Sequence, residues 1–312
     1  MSKQESQPDL YPVHIDGKYG YINHRGEIVV PYQFDHAGAF SENLAPIRQQ
    51  GNTGFLNAEG KIAIALQFDW AEPFSDGLCR IQKQDLWGFA DPRGTVVIEP
   101  QYEKALDFQQ GLAPVKSKQK FGFIDKQGRW AVSPEWDDAL SFGDGLGSVR
   151  RDERWGYVDR SGKLVINTQF VSAFPFSEGL GRVWIDGQWG FINTAGEVVI
   201  KPSYRWAYDF ADGLAAVQVM ADSNGRSKVG FIDRTGKISI DPTYDWALGF
   251  SDGLATVRIG GNWGFIDKAW KMLIPPQWNK SFNFVGQLTQ VGTDHQLFYI
   301  NRAGETVWNP YV

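Results

Sequence analysis

Catalysis needs polar groups that converge, and in this 312-residue chain the groups that could supply chemistry are spread thin. Asn23, Asn57, Asp91, Asp125, Asp159, Asn193, Asp233, Asp267 and Asn301 offer one side-chain oxygen each, most of them 34 residues apart. A calcium ion takes six or more oxygens at once, so this spacing suits a local turn role better than a metal. The histidines His14, His24, His36 and His295 have no second ligand at metal spacing. Cys79 is the one cysteine, which excludes an intrachain disulfide and a Cys-rich metal site. Asp252 and Glu178 precede turn glycines. No nucleophile–base set, phosphate-cradling loop or carboxylate pair stands out. The expectation is a non-enzymatic protein with no catalytic residues, no metal and no cofactor. The remaining distinctive chemistry is aromatic: Trp70, Trp206 and Trp246 occupy one position that elsewhere holds His36, Lys104, Asp138, Ser172 and Lys280. A position that tolerates charge is expected to face solvent, and tryptophans there mark a partner-binding or ligand-binding surface.

The elements that carry these residues repeat. A glycine beside aromatics recurs at Gly20, Gly54, Gly88, Gly122, Gly156 and Gly190, always 34 residues apart. It returns at Gly230 and Gly264 after six extra residues near 221–226, and Phe298 holds the slot in a ninth copy. A turn glycine follows each Asx by three residues, except at Trp270. Phe40, Phe74, Phe108, Phe142, Phe176, Phe210, Phe250 and Phe284 keep step, each with a leucine four residues later. Such periodicity decides the fold before any local reading.

Each slot has a physical meaning. Asx-x-x-Gly fits a tight turn in which the side chain accepts backbone N–H groups and glycine takes the left-handed conformation. The turn joins an aromatic strand such as Trp189–Ile192 to a β-branched one such as Val198–Ile200, ended by a proline. Upstream, Leu-x-x-Val makes a further strand that enters the aromatic one through pairs such as Asp186-Gly187, a hairpin signal. The unit therefore reads as a three-stranded meander. Apolar spacing of three in Tyr204, Ala207 and Phe210 predicts a single helical or 3₁₀ turn in the connector.

The pattern Trp-Gly-Phe-Ile-Asp at 263–267, with close variants at 189–204 and 230–242, resembles the WG-repeat (KWG-repeat) proteins common in bacteria. The resemblance spans about residues 10–312, departs at Thr53 and Val229 in the tryptophan slot, and implies no shared activity, cofactor or site residue. The expected fold is an all-β repeat protein, an open β-solenoid or superhelix of nine three-stranded meander units, each of about 34 residues. The alternative is a closed β-propeller-like ring, disfavoured because a unit of this length is short for a four-stranded blade. Residues 1–9 are expected as a disordered tail and 10–312 as one array whose degenerate last unit acts as a cap.

Net charge is −5 with no basic block, which argues against nucleic acid. No apolar run approaches the roughly 20 residues of a membrane helix, and the polar start has no apolar signal core. A lone cysteine fits a reducing compartment, so the cytoplasm is expected. The regular aromatics are expected to be core, and the irregular Trp70, Trp206 and Trp246 the surface that meets a partner. The function expected is a protein-binding scaffold, regulatory or of the immunity type. A lectin-like module stacking carbohydrate on those tryptophans is the alternative.

Overall fold

The computed structural model describes residues 9–220, 225, 227–293 and 296–311. Residues 1–8 of the expected tail, the inserted residues 221–224 and 226, and His295 lie outside these. The described residues form short antiparallel strands and turns, with no helix among them.

Turn chemistry sets the hairpins. Asp186 (φ 49°) and Gly187 (φ 82°) are both left-handed, the two-residue type I′ turn whose twist matches flanking strands. It joins Leu180–Ile185 to Gln188–Asn193. The Asx turns are as expected: Asn57 Oδ1 accepts the backbone N–H of Glu59 at 3.2 Å and of Lys61 at 2.9 Å.

The glycine of the Trp-Gly pair answers to a steric demand. A Cβ on Gly20, Gly54, Gly88, Gly122, Gly156, Gly190, Gly230 or Gly264 would lie 2.4–2.7 Å from the carbonyl oxygen ten residues onward. Here the next strand bulges inward, with register shifts on both sides of the aromatic, as between Trp87 and Phe89 and between Phe89 and Ala90. Phe298 takes this slot in the last repeat, where the strand opposite, Thr306–Trp308, ends at the tenth residue onward instead of continuing past it.

The chain divides into two compact units, Met1–Arg150 with Arg160–Lys163, and Arg151–Asp159 with Leu164–Val312. The first unit opens with a three-stranded sheet, Tyr11–Ile15, Lys18–Ile22 and Ile28–Phe34. Three four-stranded sheets follow, the first being His36–Ala37, Leu44–Gln49, Asn52–Asn57 and Ile62–Phe68. The hairpin of Asp138–Gly143 with Leu146–Arg151 completes the unit. In the second unit, Arg154–Val158 pairs with Leu164–Phe170. Seven strands from Ser172–Ala173 to Ile238–Tyr244 then form one sheet, and two four-stranded sheets end the chain. Strand order follows chain order, and no sheet of the described residues closes on itself. The all-β repeat expectation holds.

Two local expectations are corrected. The full repeat is four-stranded, not three-stranded, so a unit of this length does supply four strands, which removes that argument against a ring of blades. The connector is strand rather than a helical turn. In Val198–Ala207 the third strand of one repeat runs unbroken into the first strand of the next, pairing Trp189 with Tyr204 on one side and Ala207 with Val217 on the other. The spacing of three comes from β-bulges, which add one residue to a period of two; they lie between Tyr204 and Trp206, and between Ala247 and Phe250.

Packing between neighbouring repeats uses the consensus slots. The aromatic after each Trp-Gly glycine meets the slot phenylalanine of the next repeat: Phe55 with Phe74 (4.9 Å, 62°), Phe89 with Phe108 (4.7 Å, 67°) and Phe191 with Phe210 (4.9 Å, 64°). Such pairs contribute about 0.5–1.5 kcal/mol beyond area burial. Polar staples run beside them. Ser75 Oγ donates to the Phe108 carbonyl at 2.8 Å, and Ser177 Oγ to that of Phe210 at 2.7 Å. Glu42 accepts the N–H of Gly77 at 2.9 Å, and Glu178 that of Gly213 at 2.9 Å. The acidic turn residues therefore link repeats as well as making turns.

Candidate functional site

Trp70, Trp206 and Trp246 each open or lie in the strand that begins a repeat, half a repeat after the Trp-Gly tryptophan slot. In the three repeats concerned that slot holds Thr53, Trp189 and Val229. The structure gives the three tryptophans different surroundings.

Trp206 is 37% exposed and caps a cluster in the second unit. Its ring meets Trp189 edge-on at 6.0 Å and Tyr208 at 6.2 Å. Trp189 in turn meets Trp184 at 5.1 Å and Phe174 at 5.7 Å. Inside the stack lies Arg182, its guanidinium 3.9 Å from the Phe174 ring centroid, 4.9 Å from Trp189 and 5.7 Å from Trp206. A buried guanidinium must be paired. Arg182 Nε donates to Asp209 Oδ1 at 2.9 Å and Nη1 to the Ala207 carbonyl. Burial pushes the Asp209 carboxyl above its ordinary value, against the opposing pull of Arg182. Arg80 makes the same contacts in the first unit, with Asp107 at 2.6 Å and Ala105 O at 2.9 Å.

Trp246 is half-buried, and it packs on the core cluster that contains Val229. The ring contacts of Trp206 run to Trp189 and Tyr208, and Tyr208 packs against the same core cluster as Trp246.

Trp70 is half-buried beside a cavity of about 140 Å³ in the first unit. His36, Gly38, Pro46, Ile47, Arg48, Thr53 and Ala71 share the lining with it. Arg48 lies over the indole at 5.1 Å, His36 is 6.2 Å from it, and the indole N–H donates to Glu72 Oε1 at 3.0 Å. Thr53 is 3% exposed, and its Oγ1 has no hydrogen-bond partner among the described residues.

Of the other residues weighed for chemistry, Cys79 is fully buried, and burial pushes its thiol up to about 12. His14 and His36 flank Tyr19 at 4.5 and 5.4 Å. His24 Nδ1 pairs with Asp9. Sequence reasoning missed the Arg182–Asp209 and Arg80–Asp107 links. Their signal was available, since each arginine precedes its aspartate by the same 27 residues, in repeats that also match elsewhere. It also saw Thr53 only as a departure from the repeat, without the space that departure leaves.

Short antiparallel strands returning in every repeat, with hairpins throughout and aromatic pairs between neighbours, define a tandem-repeat all-β protein. The chain belongs to the WG containing repeat family, which matches residues 19–52, 54–87, 87–121, 121–155, 155–189, 189–219, 230–263 and 263–293. Among solved structures, a crystal structure of the eukaryotic initiation factor is similar at 11% identity and TM-score 0.68, with 96% of this chain and 95% of that one covered. Hsv2p of Kluyveromyces lactis is similar at 9% identity and TM-score 0.41, covering 64% and 74%. PorZ of Porphyromonas gingivalis, a component of the type-IX secretion system, is similar at 10% identity and TM-score 0.36, covering 98% and 52%. The first likeness is one of fold alone, and the other two are too distant to bear on the argument. No curated protein matches the sequence.

Proposed function

We propose that this chain is a non-enzymatic scaffold that binds another protein through its irregular positions, acting by occupying its partner rather than by chemistry. The observation that carries the reading is Trp206: a large exposed ring held rigid by Trp189 and by a buried, paired Arg182. Tryptophan and arginine dominate protein-binding hot spots because a preordered, desolvating anchor loses little entropy on association. A carbohydrate reading would need an open indole face, and Arg48 already lies over Trp70.

The test is affinity capture from the native source with mass spectrometry, using the wild-type chain and Trp206→Ala in parallel. The expected result is one stoichiometric protein retained by wild type and lost from the variant, with the unfolding midpoint of the variant little changed. Retention by both chains would remove Trp206 from the interface. A saturable glycan response that is lost in Trp206→Ala would overturn the protein-binding reading.

A further inference from the structure

The cavity beside Trp70 has a counterpart four repeats along the chain, and there it is full. Trp189 fills the space with its own ring, packed by Phe174, Arg182, Trp184 and Trp206. The residues at the same repeat positions around Thr53 are Gly38, Pro46, Arg48 and Trp70, and all four line the cavity. Three rings of the filled stack, Trp189, Phe174 and Trp184, are thus replaced by Thr53, Gly38 and Arg48.

The backbone has not collapsed into the gap. Tyr21 donates its hydroxyl to the Gly38 carbonyl at 2.9 Å, as Tyr157 does to the Phe174 carbonyl at 2.8 Å. That hydrogen bond is shared, and the side chains that fill the space differ.

Size and polarity describe what fits. About 140 Å³ is close to the roughly 150 Å³ engineered cavity that takes up benzene, and several times the roughly 30 Å³ share of one water. Pro46, Ile47 and Ala71 make much of the wall apolar, with His36, Arg48 and Glu72 as its polar part. Arg48 already lies over the Trp70 ring, so a second aromatic would meet that ring edge-on. Thr53 is 3% exposed, and it is the short side chain in the tryptophan slot, not its buried hydroxyl, that leaves the space.

We propose that the partly open cavity lined by Thr53, Gly38, Pro46 and Trp70 is a binding site for one planar aromatic ring of the size of indole or phenol. The ring would restore the packing that Trp189 supplies in its own repeat. This site does not depend on the scaffold role, since the ring can belong to a free small molecule or to a partner's side chain.

The full chain is titrated with indole, phenol and toluene by ligand-observed saturation-transfer NMR, alongside Thr53→Trp. Wild type is expected to bind indole saturably at one site. Thr53→Trp fills the cavity, so it should unfold at a higher midpoint and bind none of the three. Capped N-acetyl-tryptophanamide distinguishes the sources: binding comparable to indole assigns a protein side chain, and exclusion with indole still bound assigns a free ring. Saturable binding that survives in Thr53→Trp, or no saturable binding of any ring by wild type, would overturn the proposal.

Discussion

Replacing Gly122 by alanine should be far more costly than its single methyl suggests. Its Cβ would sit 2.5 Å from the Val132 carbonyl oxygen and 2.8 Å from Pro134 N, both backbone atoms that cannot turn aside as a side chain can. Reaching ordinary contact requires the strand Trp130–Trp136 to retreat by about 1 Å. That loosens the ladder bonds on either side, each contributing about 0.5–1.5 kcal/mol. It also moves the frame around Phe123, whose ring meets Phe142 at 4.8 Å. Two bonds and one weakened aromatic contact sum to about 2–4 kcal/mol. Gly145→Ala is the control. Gly145 has φ +84° and nothing within 4 Å of an added Cβ, so it carries only the left-handed penalty of about 1–2 kcal/mol. Guanidinium unfolding followed by tryptophan fluorescence gives both midpoints. A shift in Gly122→Ala no larger than in Gly145→Ala would refute the steric account of the Trp-Gly glycine.

Three further outcomes follow from the structure. Cys79, fully buried with its thiol pushed up to about 12, should resist a thiol-specific reagent at pH 8 in the folded protein and react stoichiometrically in denaturant; fast reaction of the native chain would contradict its burial. The Lys18 and Lys228 ammonium groups, by hydrogen bonding, hold Asp35 and Asp245 below the ordinary 3.8. Such carboxylates stabilise the fold above the unfolded value and lose that contribution as pH falls through the lower folded value. Thermal midpoints should therefore drop below about pH 3.8, and less steeply in Asp245→Asn than in wild type. Trp270 sits at φ 65°, where a bulky residue is strained. Trp270→Gly should release about 1–2 kcal/mol, partly offset by the lost edge contact with Phe250 at 6.3 Å, for a net rise in unfolding midpoint; a fall would show that the contact outweighs the strain.

The repeat slots were readable because each is set by local chemistry. Asn57 turns the chain through its own backbone neighbours, and Asp186-Gly187 selects a hairpin without help from elsewhere. The fourth strand was not, because a bulge after Tyr204 changes the apolar spacing from two to three and imitates a helical turn. Nothing in Tyr204, Ala207 and Phe210 alone separates the two readings; the pairing of Ala207 with Val217 does. Among the three irregular tryptophans, the sequence signalled the positions but not their neighbours. Trp206 rests on a buried arginine, Trp246 leans on the core around Val229, and Trp70 borders a cavity. These differences come from residues half a repeat earlier, on a strand that only the folded chain brings alongside.

Hydroxyl-radical footprinting with mass spectrometry tests the division of labour between regular and irregular aromatics most directly, since it reads phenylalanine and tryptophan in one experiment. Trp206, 37% exposed, should be modified rapidly, while Trp136, Trp189 and the slot residues Phe74, Phe108 and Phe142 stay protected until the chain unfolds. Native-state modification of Phe108 or Trp189 as fast as that of Trp206 would contradict it.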